Sequence, residues 1–315
     1  MAVVSDAVIR TTRLNKSYRS GFRMKQVQAL VDLDLEVGRG ETFGFMGPNG
    51  AGKTSLIKIL MGLAKPSSGR AEVFGKPVSD AGVKSRIGFL PESPYFYDYL
   101  TAREFLELAA RLAGVPGKET AGRVDQLLKL VRMEHSSRSQ MRGFSRGMLQ
   151  RMGIAQALIG DPELVMLDEP MGGLDPIGRK EFRDIIVSLK DRGKTVFFST
   201  HILPDVEMIC DRVGIIIAGR IVNVGLLSEI LTAEVESIEV TVRGAQGKFR
   251  KAMERVAQHA IESGDLLQLV VRSDEDVDKI SAICREAGAR LHSLVPRKRT
   301  LEDHFMAHVR GTEGN

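Results

Sequence analysis

The chain has very little cysteine: two residues in 315, Cys210 and Cys284, far apart and in no CxxC pair. That excludes a disulfide framework and a cysteine-based zinc site, and it fits a reducing compartment. No run of about 18 apolar residues is available to cross a bilayer; the best stretch, Val213 to Val222, is broken by Arg220. The opening MAVVSDAVIRTTR has no apolar core followed by a small-residue cleavage site, so it does not read as a secretory leader. The expectation is a soluble chain, for which any membrane role calls for a partner that spans the bilayer. There is no internal repeat and no low-complexity tract. Excess charge is also scarce: 45 Lys and Arg against 40 Asp and Glu leave +5, and beyond residue 230 the balance is 13 against 14. Neither part is basic enough to make nucleic acid the default partner.

What is present is ordinary globular material, 43% hydrophobic and 27% charged. At roughly 100–200 residues per domain, the length fits one large domain or two modest ones. The first forty residues alternate in short bursts (Val8-Ile9, Thr11 to Leu14, Val27 to Val37), which predicts antiparallel strands joined by a loop containing Ser20-Gly21. A short apolar strand, Glu41 to Met46, runs into a glycine-rich turn, and a helix from near Gly52 ends at Pro66-Ser67-Ser68-Gly69. Helical patterns follow from Thr101 to about Arg138 and from Ser145 to Asp161-Pro162. Strand-like runs at 164–168, 195–200 and 213–218 then alternate with helices at 178–191 and around Asp205 to Cys210. Such alternation predicts a largely parallel sheet covered by helices.

Beyond about residue 230 the pattern changes. Ser237 to Arg243 reads as a strand, Gly247 to Ala260 as a helix and Leu266 to Arg272 as a strand. Asp274 to Ala287 reads as a helix, Arg290 to Val295 as a strand and Leu301 to Val309 as a closing helix. The expectation is a domain over 1–230 and a small α+β domain over 231–315.

Gly47-Pro48-Asn49-Gly50-Ala51-Gly52-Lys53-Thr54 matches GxxxxGK[ST], with Ser55 next in the helix it opens. Glycines let the backbone curl so that successive N–H groups face phosphate oxygens, and the helix adds its positive end. Lys53 supplies charge for the β and γ phosphates, and the Thr54 hydroxyl suits Mg2+. The loop follows a strand and opens a helix, as this chemistry requires. Farther on, Leu164 to Leu167 form an apolar strand ending in Asp168-Glu169. Paired carboxylates at the carboxyl end of a buried strand sit where open α/β sheets place ligands. Asp168 is placed to hold Mg2+, and Glu169 to polarise the water that attacks the γ phosphate.

Around this pair lie Phe144-Ser145-Arg146-Gly147-Met148, then Asp161-Pro162, then Gly173-Leu174-Asp175-Pro176, and finally Ser199-Thr200-His201. With the phosphate loop, this order resembles the nucleotide-binding subunit of an ATP-binding-cassette (ABC) transporter over roughly residues 8–230. The resemblance implies an α/β P-loop ATPase domain with a mostly parallel core sheet, an antiparallel β subdomain and a helical subdomain. It implies that Tyr18 stacks on adenine and that Ser145 and Gly147 form the signature facing the γ phosphate held by a second subunit. It implies that Asp175 lies in the loop passing between subunits and that His201 contacts the γ phosphate. ATP and Mg2+ are the implied ligands. The implied partners are multi-span permease subunits, at the cytoplasmic face of the membrane, and a second copy or homologous ATPase subunit. There are three departures from the family pattern: Arg146 and Met148 within the signature, Glu92 where glutamine is usual, and Gly172 where serine is usual. Glu92 remains a candidate Mg2+ ligand.

Tyr95, Phe96, Tyr97 and Tyr99 follow Glu92. They read either as a docking surface for the membrane subunit or as packing inside the helical subdomain. The ending from Val295 through Arg297-Lys298-Arg299 to TLEDHF is similar to that of bacterial drug, sodium and lipid export ATPases. Its implied role is regulatory or dimer-stabilising, and the three basic residues read as a lipid-facing cluster or a solvated one. The alternative function is a soluble ABC ATPase acting on nucleic acid or ribosomes, but such proteins carry long coiled-coil or zinc-bearing insertions, or two cassettes. A binding module without hydrolysis is disfavoured by intact Lys53, Asp168, Glu169 and His201.

Overall fold

The computed structural model describes residues 7–20, 25–230 and 235–298. The chain divides into two units, Met1–Leu227 and Ser228–Asn315, against a boundary expected at 230 from the change in strand and helix pattern. In chain order the first unit begins β1 (Ala7–Ser20), β2 (Lys25–Gly38), β3 (Thr42–Met46), α1 (Lys53–Leu60), β4 (Ser68–Val73), β5 (Lys76–Pro77), α2 (Ala81–Lys84) and β6 (Ile87–Leu90). It continues with α3 (Ala102–Leu112), α4 (Gly117–Leu130), α5 (Arg146–Leu158), β7 (Leu164–Asp168), α6 (Pro176–Asp191), β8 (Thr195–Thr200), α7 (Leu203–Ile209), β9 (Arg212–Ile217) and β10 (Arg220–Leu226).

Two sheets build this unit. One is antiparallel in the order β2-β1-β4-β5; the other runs β10-β9-β3-β8-β7-β6. In the second sheet, β9, β3, β8, β7 and β6 pair in parallel, and β10 adds an antiparallel edge. Every residue of β3, β7 and β8 is buried, as continuous apolar runs require when helices cover both faces. Phe197 of β8 stacks on Phe43 of β3 at 5.8 Å and lies 5.7 Å from Phe45. Truncating a buried phenylalanine of this kind costs about 3–5 kcal/mol. The short strand β6 and the edge strand β10 were not anticipated; four residues, or a run of mixed burial, leave too weak a period. The helix α3 starts on a capping box between Thr101 and Glu104, which fixes the entry to the helical subdomain.

The second unit comprises α8 (Leu227–Ile230, spanning the boundary), β11 (Val235–Arg243), α9 (Gly247–Val256), β12 (His259–Ser263), β13 (Leu266–Val271), α10 (Asp274–Ala287) and β14 (Arg290–Lys298). The β-α-β-β-α-β order with sheet order β12-β13-β11-β14 is a ferredoxin-like arrangement. Ile238, Val240, Val242, Leu267, Leu269 and Val271 face a core completed by Met253 of α9 and Ile280 and Cys284 of α10. The helix expected to reach Ala260 stops at Val256, and His259–Ser263 is a strand. All five of its residues are exposed on an outer strand, so no buried stripe marked the change. The closing helix expected at Leu301–Val309, and Gly21 of the first expected loop, lie outside the described residues. Within the basic ending, Arg297 is held by Glu239, its Nη2 2.6 Å from Oε2, which commits it to the sheet.

Both thiols are unpaired, and burial pushes each one's pKa up, so neither has thiolate character. Ahead of β7, Glu163 accepts from Arg86 (Nε–Oε1 2.6 Å, Nη2–Oε2 2.8 Å) and from Arg39 (2.9 Å), tying the turns before β3, β6 and β7. The Arg86 hydrogen bonds, then those of Arg39, hold its pKa down at about 2, from the usual 4.5. A depressed carboxylate contributes stability above the unfolded pKa and loses it as pH falls through the folded one, here between 4.5 and about 2. The group is exposed enough for solvent screening to keep this under about 1 kcal/mol. Urea midpoints of the wild type are expected to fall across that window, and Glu163→Gln to flatten part of the fall; parallel curves would contradict the assignment.

Candidate functional site

The carboxyl ends of the parallel strands meet at one edge of the sheet. Gly47 follows β3, Glu92 follows β6, Asp168 ends β7 with Glu169 next, and His201 follows β8. Parallel pairing sets Met46 beside Thr200 and Asp168 beside Ser199, so these residues arrive at the same height. Of these, Glu92, Glu169 and His201 border a cleft of about 480 Å3 that is also lined by Asn49, Gly50, Gly52, Lys53, Thr54 and Ser55, together with Ala29, Arg146, Gly172 and Gly173; Gly47 and Asp168 are not among its lining residues.

The loop from Gly47 to Gly52 leaves no room for side chains at its ends. A Cβ on Gly47 would lie 2.3 Å from the Ile216 carbonyl oxygen. One on Gly52 would lie 2.3 Å from that of Ala29, and Gly52 has φ +114, a conformation that favours glycine. Pro48 and Ala51 continue the turn, with the Ala51 N–H donating to the Pro48 carbonyl at 3.2 Å. Lys53 opens α1 but is 6% exposed. Its ammonium donates to the carbonyls of Gly47 (2.7 Å) and Pro48 (3.1 Å), which curls the loop around it.

Glu169 joins the strands electrostatically. Its Oε1 lies 3.1 Å from Lys53 Nζ, and its Oε2 lies 2.8 Å from His201 Nδ1. The first contact is a coulombic pair without good hydrogen-bond direction, since buried Oε1 accepts no hydrogen bond among the described residues. Glu169 has φ +47, a left-handed conformation costing of order 1–3 kcal/mol for a non-glycine residue and typical of functional sites. Its N–H donates to Ser199 Oγ at 3.0 Å, and Ser199 Oγ donates to Asp168 Oδ1 at 2.6 Å. Thr54 Oγ1 also donates to Asp168 Oδ1, at 3.3 Å. Ser199 is therefore a bridge that the sequence reading quoted but did not assign; the signal was its register opposite Asp168.

Tyr18, Ser145, Gly147 and Asp175 are not among the residues lining the cleft. Tyr18 lies on β1, partly exposed, with Lys16 Nζ 4.8 Å from its ring centroid. Ser145 caps α5, accepting from the Met148 N–H, and Gly147 is the second residue of that helix. Asp175 caps α6, accepting from the Gly178 N–H at 2.9 Å. Of the aromatic group after β6, Tyr95, Tyr97 and Tyr99 are exposed. Phe96 is buried, edge-on to Phe105 at 5.2 Å, so the tyrosines face outward and only the phenylalanine packs.

A phosphate loop at a helix start, with a buried carboxylate and a glutamate–histidine pair at the same sheet edge, defines a P-loop ATPase cassette. The ABC transporter family profile matches residues 30–172. An uncharacterized ABC transporter ATP-binding protein of Synechocystis sp. is 44% identical over 96% of this chain and 85% of its own. The Nod factor export ATP-binding protein I of Cupriavidus metallidurans is 34% identical over 87% of this chain and 90% of its own. The bacitracin transport ATP-binding protein of Bacillus licheniformis is 44% identical over 69% of each chain. Among solved structures, an ATP-binding subunit of an ABC transporter is 32% identical with a TM-score of 0.63, covering 71% of this chain and 91% of that one. A dimeric ATP-binding cassette in a post-hydrolysis state with ADP and Pi is 26% identical with a TM-score of 0.64, covering 70% of this chain and 98% of that one. The chain belongs to the ABC transporter ATP-binding proteins, a family of ATP-hydrolysing transporter subunits.

Gly47→Ala forces the loop off the Ile216 carbonyl. It is expected to weaken ATP binding at least ~10-fold, equivalent to about 1.4 kcal/mol, in titrations with a fluorescent nucleotide. Wild-type affinity in a folded variant would show that the loop does not shape the phosphate site.

Proposed function

We propose that this chain powers a membrane exporter by hydrolysing ATP between two copies of its cassette. The observation that carries the reading is the convergence of Lys53, Glu169 and His201 on one cleft, with buried Asp168 joined to its wall through Thr54. The backbone N–H groups from Asn49 to Ser55 and the Lys53 ammonium would bind the phosphates. Binding would draw Lys53 from Glu169 toward the phosphates, freeing one carboxylate oxygen to accept a proton from water while His201 holds the other.

A divalent cation fits the donors present. Thr54 and Asp168 converge as hydroxyl and carboxylate, with Glu92 on the same wall, a hard oxygen set. Among the described residues no cluster of three His, Cys, Asp or Glu can hold a metal, so the ion would be shared with the nucleotide's phosphates, as Mg2+ usually is. When bound it would neutralise charge on the β and γ phosphates.

Three features support a two-copy site at a membrane. The signature residues Ser145 and Gly147 are absent from the lining of their own chain's cleft, and their anion-attracting helix start would serve a second copy's nucleotide; a similar cassette is described as a dimer with ADP and Pi. Among the described residues no helix is long and apolar enough to cross a membrane, and Tyr95, Tyr97 and Tyr99 offer exposed aromatic surface for permease subunits. Relatives named for bacitracin transport and Nod factor export favour an exporter, with the cassette at the cytoplasmic face and the second unit in a regulatory or dimer-stabilising role.

Glu169→Gln is expected to retain ATP while turnover falls by about 10²–10⁴-fold. Captured with ATP from detergent-solubilised membranes, it should bring down a multi-span protein, and adding Tyr97→Ala and Tyr99→Ala should reduce that recovery. Recovery of ribosomes or nucleic acid in its place would redirect the reading to a soluble ATPase.

A further inference from the structure

The first turn of α7 carries a charge that has no exit to solvent. Asp205 is 1% exposed. Its Oδ1 accepts from Arg183 Nη1 of α6 at 2.7 Å, while its Oδ2 has no hydrogen-bond partner among the described residues. Taking a carboxylate out of water is costly, and one arginine repays that cost only in part. An ion pair of this kind is poor evidence for stability, and the orphaned oxygen makes it poorer still. The pair calls for a role other than holding the fold together.

Its place in the chain supplies one. Asp205 lies four residues beyond His201, in a helix of only seven residues. Between them, the Ile202 N–H donates to Thr200 Oγ1 at 3.0 Å, and Ile202 precedes the helix without a side-chain cap. His201 itself is held lightly. Its side chain is 47% exposed, and its contact with Glu169 Oε2 at 2.8 Å is its only hydrogen bond or ion pair among the described residues. The imidazole therefore takes its position from the backbone on either side. Upstream, parallel pairing fixes Thr200 beside Met46. Downstream, the anchor is α7.

Two kinds of contact seat that helix. Val206 and Cys210 press on β3 at Gly44, where a Cβ would lie 3.2 Å from Val206 Cγ1 and 2.7 Å from Cys210 Sγ. Apolar contact is non-directional and does not fix how the helix is turned about its axis. A charge-assisted hydrogen bond has direction, and Arg183 projects from α6, a helix of sixteen residues seated on buried Phe182, Ile185, Ile186 and Leu189. Neither Arg183 nor Asp205 lines the nucleotide cleft.

We infer that Asp205 is a positioning residue for ATP hydrolysis: bound to Arg183, it locks the first turn of α7 to α6 and so holds His201 against Glu169. The inference rests on the proposed part of the His201–Glu169 pair in hydrolysis and extends that machinery to two residues outside the cleft. Loss of the lock slows turnover and leaves nucleotide binding in place.

Turnover is to be measured at saturating ATP and at a chain concentration where wild-type activity per chain has levelled, alongside ATP affinity and thermal melting. Asp205→Ala is expected to turn over about 10- to 100-fold more slowly, as a remote displacement of a reacting group does, with ATP affinity within about twofold of wild type. Arg183→Met combined with Asp205→Leu removes the lock and leaves no charge buried. That pair is expected to melt at or above the wild-type temperature and to turn over as slowly as Asp205→Ala. Wild-type turnover in the stable pair would overturn the inference, because a role in stability alone predicts it. The sharpest comparison adds Asp205→Ala to His201→Ala. A residue acting through His201 is expected to cost less than about twofold more in that background, whereas a repeat of the full loss would overturn the lock. Wild-type turnover in His201→Ala alone would remove His201 from hydrolysis and the lock with it; a slow His201→Ala with a full further loss would reject the lock alone.

Discussion

Glu169 is the point on which the site depends. One carboxylate oxygen faces Lys53 from the β3 loop and the other faces His201 from the end of β8, while the backbone is held by Ser199. Three separate strands are tied through one side chain. The arrangement works because β3, β8 and β7 pair in parallel with matched register; a one-residue slip would turn alternate side chains to the other face. The buried phenylalanines at 43, 45 and 197 hold that register from beneath, so core packing and phosphate chemistry share the same strands.

Much of this was legible in the sequence, for identifiable reasons. The phosphate loop is contiguous, its glycines answer to close backbone approach, and its lysine must follow at a fixed step. The central strands are largely apolar runs that end at the candidate site residues. What stayed hidden depends on contacts across long separations. Ser199 becomes informative only when β8 lies beside β7. In the second unit the fold class was readable, but β12 was absorbed into the preceding helix because an exposed edge strand carries no alternation of burial. The outward tyrosines at 95, 97 and 99 and the inward Phe96 share one short stretch of sequence, and only packing separates them.

The second unit has a complete core of its own, with six apolar strand residues facing α9 and α10. A unit so built buries the apolar face of its own sheet. Charge is distributed with the same division: the slight positive excess of the chain belongs to the cassette, where the phosphates bind, and the tail is nearly neutral.

The central claim is the proposal that two copies complete the hydrolysing site, Ser145 and Gly147 being absent from the lining of their own chain's cleft. The most direct test is the specific ATPase activity of the purified chain as a function of its own concentration. The account predicts activity per chain that rises with concentration and then levels as association saturates. A constant specific activity down to concentrations where the chain is monomeric would contradict it.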